Sequence, residues 1–171
     1  YPAIGGAKDV IQFMKHTKQI LDENGLACKI ISSGGSPDMW TASTENIITE
    51  YRIGTYIYND RSLFNQGACK LKDCAGFVVA TVVSTPSPDR AVIDAGSKVL
   101  TSDLSGFLDY GYVLNHPEVS FVSLSEEHGN LKVNPEKPFS VGERIWILPN
   151  HVCVVSNMFD TIWMRSINGT I

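Results

Sequence analysis

Gly76-Phe77-Val78-Val79-Ala80-Thr81-Val82-Val83, then Pro86-Ser87-Pro88-Asp89, then Ala91-Val92-Ile93-Asp94-Ala95, is a run of β-formers, a proline-rich break and a second run of β-formers. β-Branched side chains suit a pleated, half-buried surface, and the Pro-Ser-Pro-Asp segment cannot continue a ladder. The stretch therefore predicts two strands joined by a turn. The pattern recurs on both sides. Gly54–Tyr58, Val119–Leu124, Gly129–Val133, Arg144–Leu148, Val152–Asn157 and Thr161–Arg165 are further predicted strands, and Glu127-His128-Gly129-Asn130 reads as a hairpin tip. Strands this closely spaced define a compact antiparallel β-domain or barrel.

Upstream the period changes. Residues 7–24 carry Val10, Ile11, Met14, Thr17, Ile20 and Leu21 at helical spacing and stop at Gly25, which predicts an amphipathic helix with a glycine C-terminal signal. Ala27–Ser32 follows as a short predicted strand and runs into Ser33-Gly34-Gly35-Ser36-Pro37. Helix, turn, strand and Gly/Ser loop make up most of one unit of an α/β fold with a parallel sheet. The expected fold is thus mainly β with a small α/β part, residues 1–50 forming the α/β piece and residues 51–171 the β-domain.

With 171 residues, 43% apolar and 19% charged, the composition is that of an ordinary globular protein. A net charge of −4 gives no reason to expect nucleic acid or an anionic membrane as partner. No apolar run approaches the roughly 20 residues that span a bilayer. The four cysteines, Cys28, Cys69, Cys74 and Cys153, form no CxxC, and no secretion signal opens the sequence, so a reducing cytoplasm is the expected compartment. The sequence begins at Tyr1 and enters almost at once into a helical pattern, from which a partial polypeptide is expected.

Several segments carry groups capable of chemistry. In Pro149-Asn150-His151-Val152-Cys153 an imidazole and a thiol stand two residues apart. Residues i and i+2 of a strand point to one face, so on the predicted strand both would aim at one point. Imidazole nitrogen with thiolate sulfur suits zinc better than magnesium or calcium, and two protein ligands leave positions for water or substrate. The same spacing also fits one partly exposed histidine beside one buried cysteine. Ser33-Gly34-Gly35-Ser36 is a loop whose glycines let backbone amides approach an anion, or a plain turn; it is neither a Walker loop nor a GxGxxG. Tyr56 and Tyr58 would share a strand face, as core rings with wet tips or as the wall of an aromatic cofactor. Asp94-Ala95-Gly96-Ser97-Lys98 is expected to be a structural turn, because nothing nearby activates the lysine. His128 is expected to be a solvent-exposed hairpin residue.

Taken in order, SSGGSPD, EYRIGTYIYND, VIDAGSKVLTSD, SLSEEHG and PNHVCVVSNMFD resemble the D-serine dehydratase and D-threonine aldolase family. These are metal-activated pyridoxal 5′-phosphate enzymes of the alanine racemase-like fold. The resemblance runs from about residue 20 to residue 165. It implies that residues 1–50 are the last strand and helix elements of a TIM-type barrel that binds the cofactor, and that residues 51–171 are the C-terminal β-domain of a homodimer. It further implies that Ser33, Gly34, Gly35 and Ser36 hold cofactor phosphate, that Tyr56 lies near the pyridine ring, and that His151 and Cys153 bind a divalent metal, zinc or, as the alternative, manganese. The family attaches its cofactor to a lysine in an Arg-Pro-His-x-Lys-like segment, and none of the nine lysines stands in such a context. The 171 residues alone are therefore expected to be inactive.

The implied activity is that of a lyase on D-β-hydroxy amino acids. A thiolate as second metal ligand resembles the dehydratase members, which eliminate the β-hydroxyl to give a keto acid and ammonia. The alternative is D-threonine aldolase, which cleaves to glycine and an aldehyde. An alternative of another class is a non-catalytic binding or dimerisation module.

Overall fold

The computed structural model describes residues 6–166. Helix α1 (Ala7–Glu23) leads to strand β1 (Ser32–Gly34), a 3-10 turn (Ser36–Asp38), helix α2 (Met39–Ala42) and strand β2 (Glu50–Arg52). A 3-10 turn at Thr55–Ile57, helix α3 (Arg61–Asn65) and a 3-10 turn at Leu71–Asp73 precede β3 (Val78–Ser87) and β4 (Arg90–Ile93). Then come α4 (Ser97–Leu100), β5 (Gly111–Val113), β6 (Ser120–Leu124), β7 (Gly129–Lys132), β8 (Arg144–Pro149) and α5 (Val152–Ser156).

Six strands form an antiparallel sheet in the order β5-β8-β3-β4-β7-β6, and its end strands β5 and β6 come into contact, so the sheet is a nearly closed barrel. Alternation along β3 shows why: Val78, Ala80 and Val82 are buried while Val79 faces outward. Ile145 and Ile147 of β8, Ala91 and Ile93 of β4, and Leu131 of β7 meet them inside. β3 continues through Pro86 to Ser87 because its ladder with β4 is irregular there, and a bulged stretch tolerates a residue without an N–H. The mainly β architecture follows the sequence expectation.

The smaller sheet pairs β1 with β2 in parallel, Ser33 opposite Tyr51. β2 begins at the last residue of the expected N-terminal piece, so the parallel pair straddles residue 50. α1 turns Ile11, Met14, Thr17 and Leu21 inward, as its spacing predicts, whereas Val10 and Ile20 of the same predicted face stay exposed, as does Phe13.

Four expected strands differ. Val152–Asn157 is helical: Pro149 ends β8, His151 is the extended cap residue, and Val152 and Val155 bury one helix face, overriding the β preference of their side chains. Gly54–Tyr58 is a 3-10 turn, because Tyr58 and Asn59 N–H both bond back to Thr55 O. The strand expected over Ala27–Ser32 is confined to Ser32–Gly34, and Thr161–Arg165 forms no strand. Gly111–Val113 is a strand that its short apolar content conceals.

The segments at 94–98 and 125–129 meet through structure. Ser97 and Lys98 N–H donate to the carbonyls of Ser125 and Glu126 at 2.8 and 3.1 Å, and the Lys98 ammonium pairs with Glu127. His128 N–H donates to Ser125 Oγ within the β6–β7 turn, and the residue is exposed. A Cβ on Gly96 would lie 2.4 Å from the Ser125 and Glu126 carbonyl oxygens. Backbone on one side and a helix start on the other leave no room to yield. Gly96→Ala is expected to lower the unfolding free energy by at least about 2 kcal/mol, read from urea denaturation, whereas outward-facing Val79→Ala stays within about 0.5 kcal/mol.

Candidate metal centre and cofactor loop

The turn at Thr55–Ile57 ends at Asn59, whose φ of 52° is the left-handed conformation that asparagine tolerates. That reversal carries Asp60 into the interior, where it is fully buried. Its carboxylate has three polar partners. Oδ1 takes Leu63 N–H at 2.9 Å, the N-cap bond of α3. Oδ2 takes Val152 N–H at 3.1 Å, at the start of α5, and lies 2.9 Å from His151 Nδ1. The next residue, Arg61, bonds Asp109, Gly111 O and Asn150 Oδ1, with its guanidinium 4.3 Å above the Phe107 ring. Asn150 is buried and donates to Leu104 O and Asp109 O. Ser62 N–H donates to Asn150 O at 3.2 Å, so residues 60–62 fasten the 150–152 junction from both sides.

His151 and Cys153 are placed at the mouth of this junction, His151 half-buried and Cys153 exposed. Helix geometry, not the face of a strand, sets their relation: His151 is the cap residue and Cys153 lies in the first turn of α5. The Cys153 sulfur is 3.3 Å from Thr55 Oγ1. With Nδ1 engaged by Asp60, the second ring nitrogen of His151 is the one available to a metal. Among the described residues no three His, Cys, Asp or Glu side chains converge as a metal cluster. The pair is a two-donor set of the kind that leaves coordination positions for water or substrate.

Tyr56 does not share a strand face with Tyr58; it is exposed on the 3-10 turn. Of the segment expected as a loop, Ser33 and Gly34 belong to β1, and Gly35 links it to the 3-10 turn that begins at Ser36. Gly35 N–H donates to Arg52 O at 3.1 Å, and Tyr51 OH donates to Gly35 O at 2.7 Å. Burial, reinforced by the Asp38 charge, raises the Tyr51 pKa and keeps that phenol a donor. A Cβ on Gly34 would sit 2.7 Å from Arg52 O, and Gly35 has φ of 123°. Strand pairing and backbone conformation thus account for both glycines. Ser33 is half-buried and Ser36 buried.

Asp60 and Thr55 are the residues that sequence reasoning passed over. Both stand in the EYRIGTYIYND segment, but an aspartate after an asparagine reads as a turn residue until the partner 91 positions away is known.

Residues 75–164 match the family model described as "Putative serine dehydratase domain". D-threonine aldolase of Arthrobacter sp. is 31% identical over 146 residues, covering 83% of this chain and 37% of that protein. D-serine dehydratase of Dictyostelium discoideum is 29% identical over 155 residues, covering 80% and 39%. A histidine-to-alanine mutant of D-threo-3-hydroxyaspartate dehydratase superposes with a TM-score of 0.84 at 27% identity, covering 95% of this chain and 46% of the other. A cysteine-to-alanine mutant of that enzyme, in the metal-free form, gives 0.82 at 27% identity over 95% and 48%. The positions substituted in those two mutants are two residues apart. The chain belongs to the serine dehydratase domain family. The aldolase and the dehydratases just described are named as lyases of D-amino acids, and the chain spans less than half the length of each of them.

The thiols offer a direct check of the site's exposure. Cys74 is buried, and that burial, with Cys69 alongside, pushes its pKa up to about 12. A thiol raised this far holds almost no thiolate near neutral pH. Iodoacetamide on the native chain is expected to modify exposed Cys153 well before Cys74, as read by peptide mass spectrometry; equal rates would contradict the burial described.

Proposed function

We propose that this chain is the C-terminal portion of a pyridoxal-phosphate- and metal-dependent lyase of D-β-hydroxy amino acids, D-serine dehydratase first and D-threonine aldolase as the alternative. The observation that carries the proposal is the His151–Cys153 donor pair with Asp60 behind the imidazole. It is supported by the metal-free cysteine mutant of the related dehydratase, whose substituted residues have the same spacing.

The donor set fits a zinc ion, with manganese the alternative: one imidazole nitrogen and one exposed sulfur, both reachable from solvent. When bound, a divalent cation there supplies Lewis-acid stabilisation to a substrate hydroxyl oxygen, and pyridoxal phosphate supplies an electron sink. His151 and Cys153 hold the metal. Thr55 holds its hydroxyl against the Cys153 sulfur. Ser33 and Ser36 offer hydroxyls to the cofactor phosphate beside Gly34 and Gly35, and Tyr56 offers an exposed ring. Residues 1–50 are assigned to the cofactor barrel and 51–171 to the metal-bearing β-domain of a cytoplasmic homodimer. Among the described residues no helix is long and apolar enough to cross a membrane.

In the complete enzyme, His151→Ala and Cys153→Ala are each expected to abolish metal-dependent turnover of D-serine while leaving cofactor absorbance intact, and chelator should reproduce them. Zinc should also protect Cys153 of the 171-residue chain from alkylation, and His151→Ala should remove that protection. Full turnover of either variant in excess chelator would refute the assignment. For the phosphate loop, Ser36→Ala is the informative variant, since Gly34→Val disturbs the β1–β2 pair whether or not a cofactor is bound.

A further inference from the structure

Two of the three bonds to the Asp60 carboxylate cap helices; the third, to His151 Nδ1, caps nothing. A neutral imidazole carries its proton on one nitrogen only, and a carboxylate oxygen that already accepts a backbone N–H offers none in return. The 2.9 Å contact is therefore a hydrogen bond only with the proton on Nδ1, which leaves the lone pair on Nε2. In the other tautomer two lone pairs would face each other in a fully buried place, and Nε2 would be blocked by a proton. The His151 side chain is 35% exposed and that of Asp60 0%, so the acceptor is fixed in the interior while the imidazole reaches from it toward solvent.

The surroundings prevent Asp60 from turning away. Its oxygens are held by the first turns of α3 and α5, and its neighbour Arg61 is anchored to Asp109 and Asn150. The same segment brings the Thr55 hydroxyl to the Cys153 sulfur. We propose that Asp60 is the positioning residue of the metal centre: it selects the tautomer of His151 that can bind a metal. This role rests on the metal assignment above.

The test uses the 171-residue chain labelled with nitrogen-15, metal-free, in buffer basic enough to keep imidazole neutral. Long-range proton–nitrogen correlation is expected to show His151 protonated on Nδ1. Asp60→Asn retains an oxygen to cap Leu63 but presents an amide N–H to the ring. It is expected to move the proton to Nε2 and to weaken Co2+ binding, followed by thiolate-to-cobalt charge-transfer absorption, by about 10- to 100-fold. A wild-type ring protonated on Nε2 overturns the inference, and this measurement stands even where the variant fails to fold. A folded Asp60→Asn chain that binds Co2+ as tightly as wild type overturns it too. A wild-type chain with the Nδ1 tautomer that binds no Co2+ strikes the metal assignment instead.

Discussion

The buried carboxylate of Asp60 is the constraint on which the site depends. An acid with no solvent exposure is sustained only where its oxygens are fully engaged, and here one aspartate engages the start of α3, the start of α5 and the imidazole of His151. Those three partners come from segments about ninety residues apart in sequence. The aspartate thus converts the closure of the fold into the placement of a side chain: α5 cannot begin at Val152 without presenting His151 to the same oxygen. Arg61 extends the lock to the far side of the junction through Asn150 and Asp109.

The β-domain was legible because it is built on alternation. Val78, Ala80 and Val82 point inward and Val79 outward, a period the sequence displays without help from distant residues. The region of the proposed metal donors was not legible in that way. Three valines in Val152–Val155 argue for a strand by local preference, which would place Val152 and Val154 on one face. The observed burial instead pairs Val152 with Val155, one helical turn on. Long-range capping by Asp60 decides between the two, and no local pattern reports a cap supplied from residue 60. His151 and Cys153 could be singled out from donor chemistry and spacing, but their relative geometry could not.

The segments that carry the family resemblance also divide on physical grounds. Gly96 and the turn at 125–128 are held together by backbone bonds and a lysine–glutamate pair, so their likeness to the family is explained by packing. Gly34 answers to the carbonyl of Arg52 and Gly35 to its positive φ. A recurring glycine is therefore weak evidence for a ligand even within a true family resemblance. The segment from Thr55 to Asp60 differs, because two of its polar side chains, Thr55 and Asp60, turn toward a sulfur and an imidazole nitrogen rather than toward their own backbone alone.

That division bears on the choice between elimination and aldol cleavage. Relatives named for each reaction match this chain at similar identity and over similar stretches, 31% for the aldolase and 29% for the dehydratase. In this chain the stretch builds a barrel whose last strand leads to His151, the cap residue of α5, and Cys153 in its first turn, one nitrogen and one sulfur donor. Under the proposed function, a metal held by His151 and Cys153 would stabilise negative charge on a hydroxyl oxygen in either reaction, whether that oxygen leaves or becomes a carbonyl. The two outcomes differ in which bond of the substrate is aligned for cleavage. In the proposed enzyme that alignment would depend on groups facing the substrate from the cofactor side, while the β-domain would supply the element common to both.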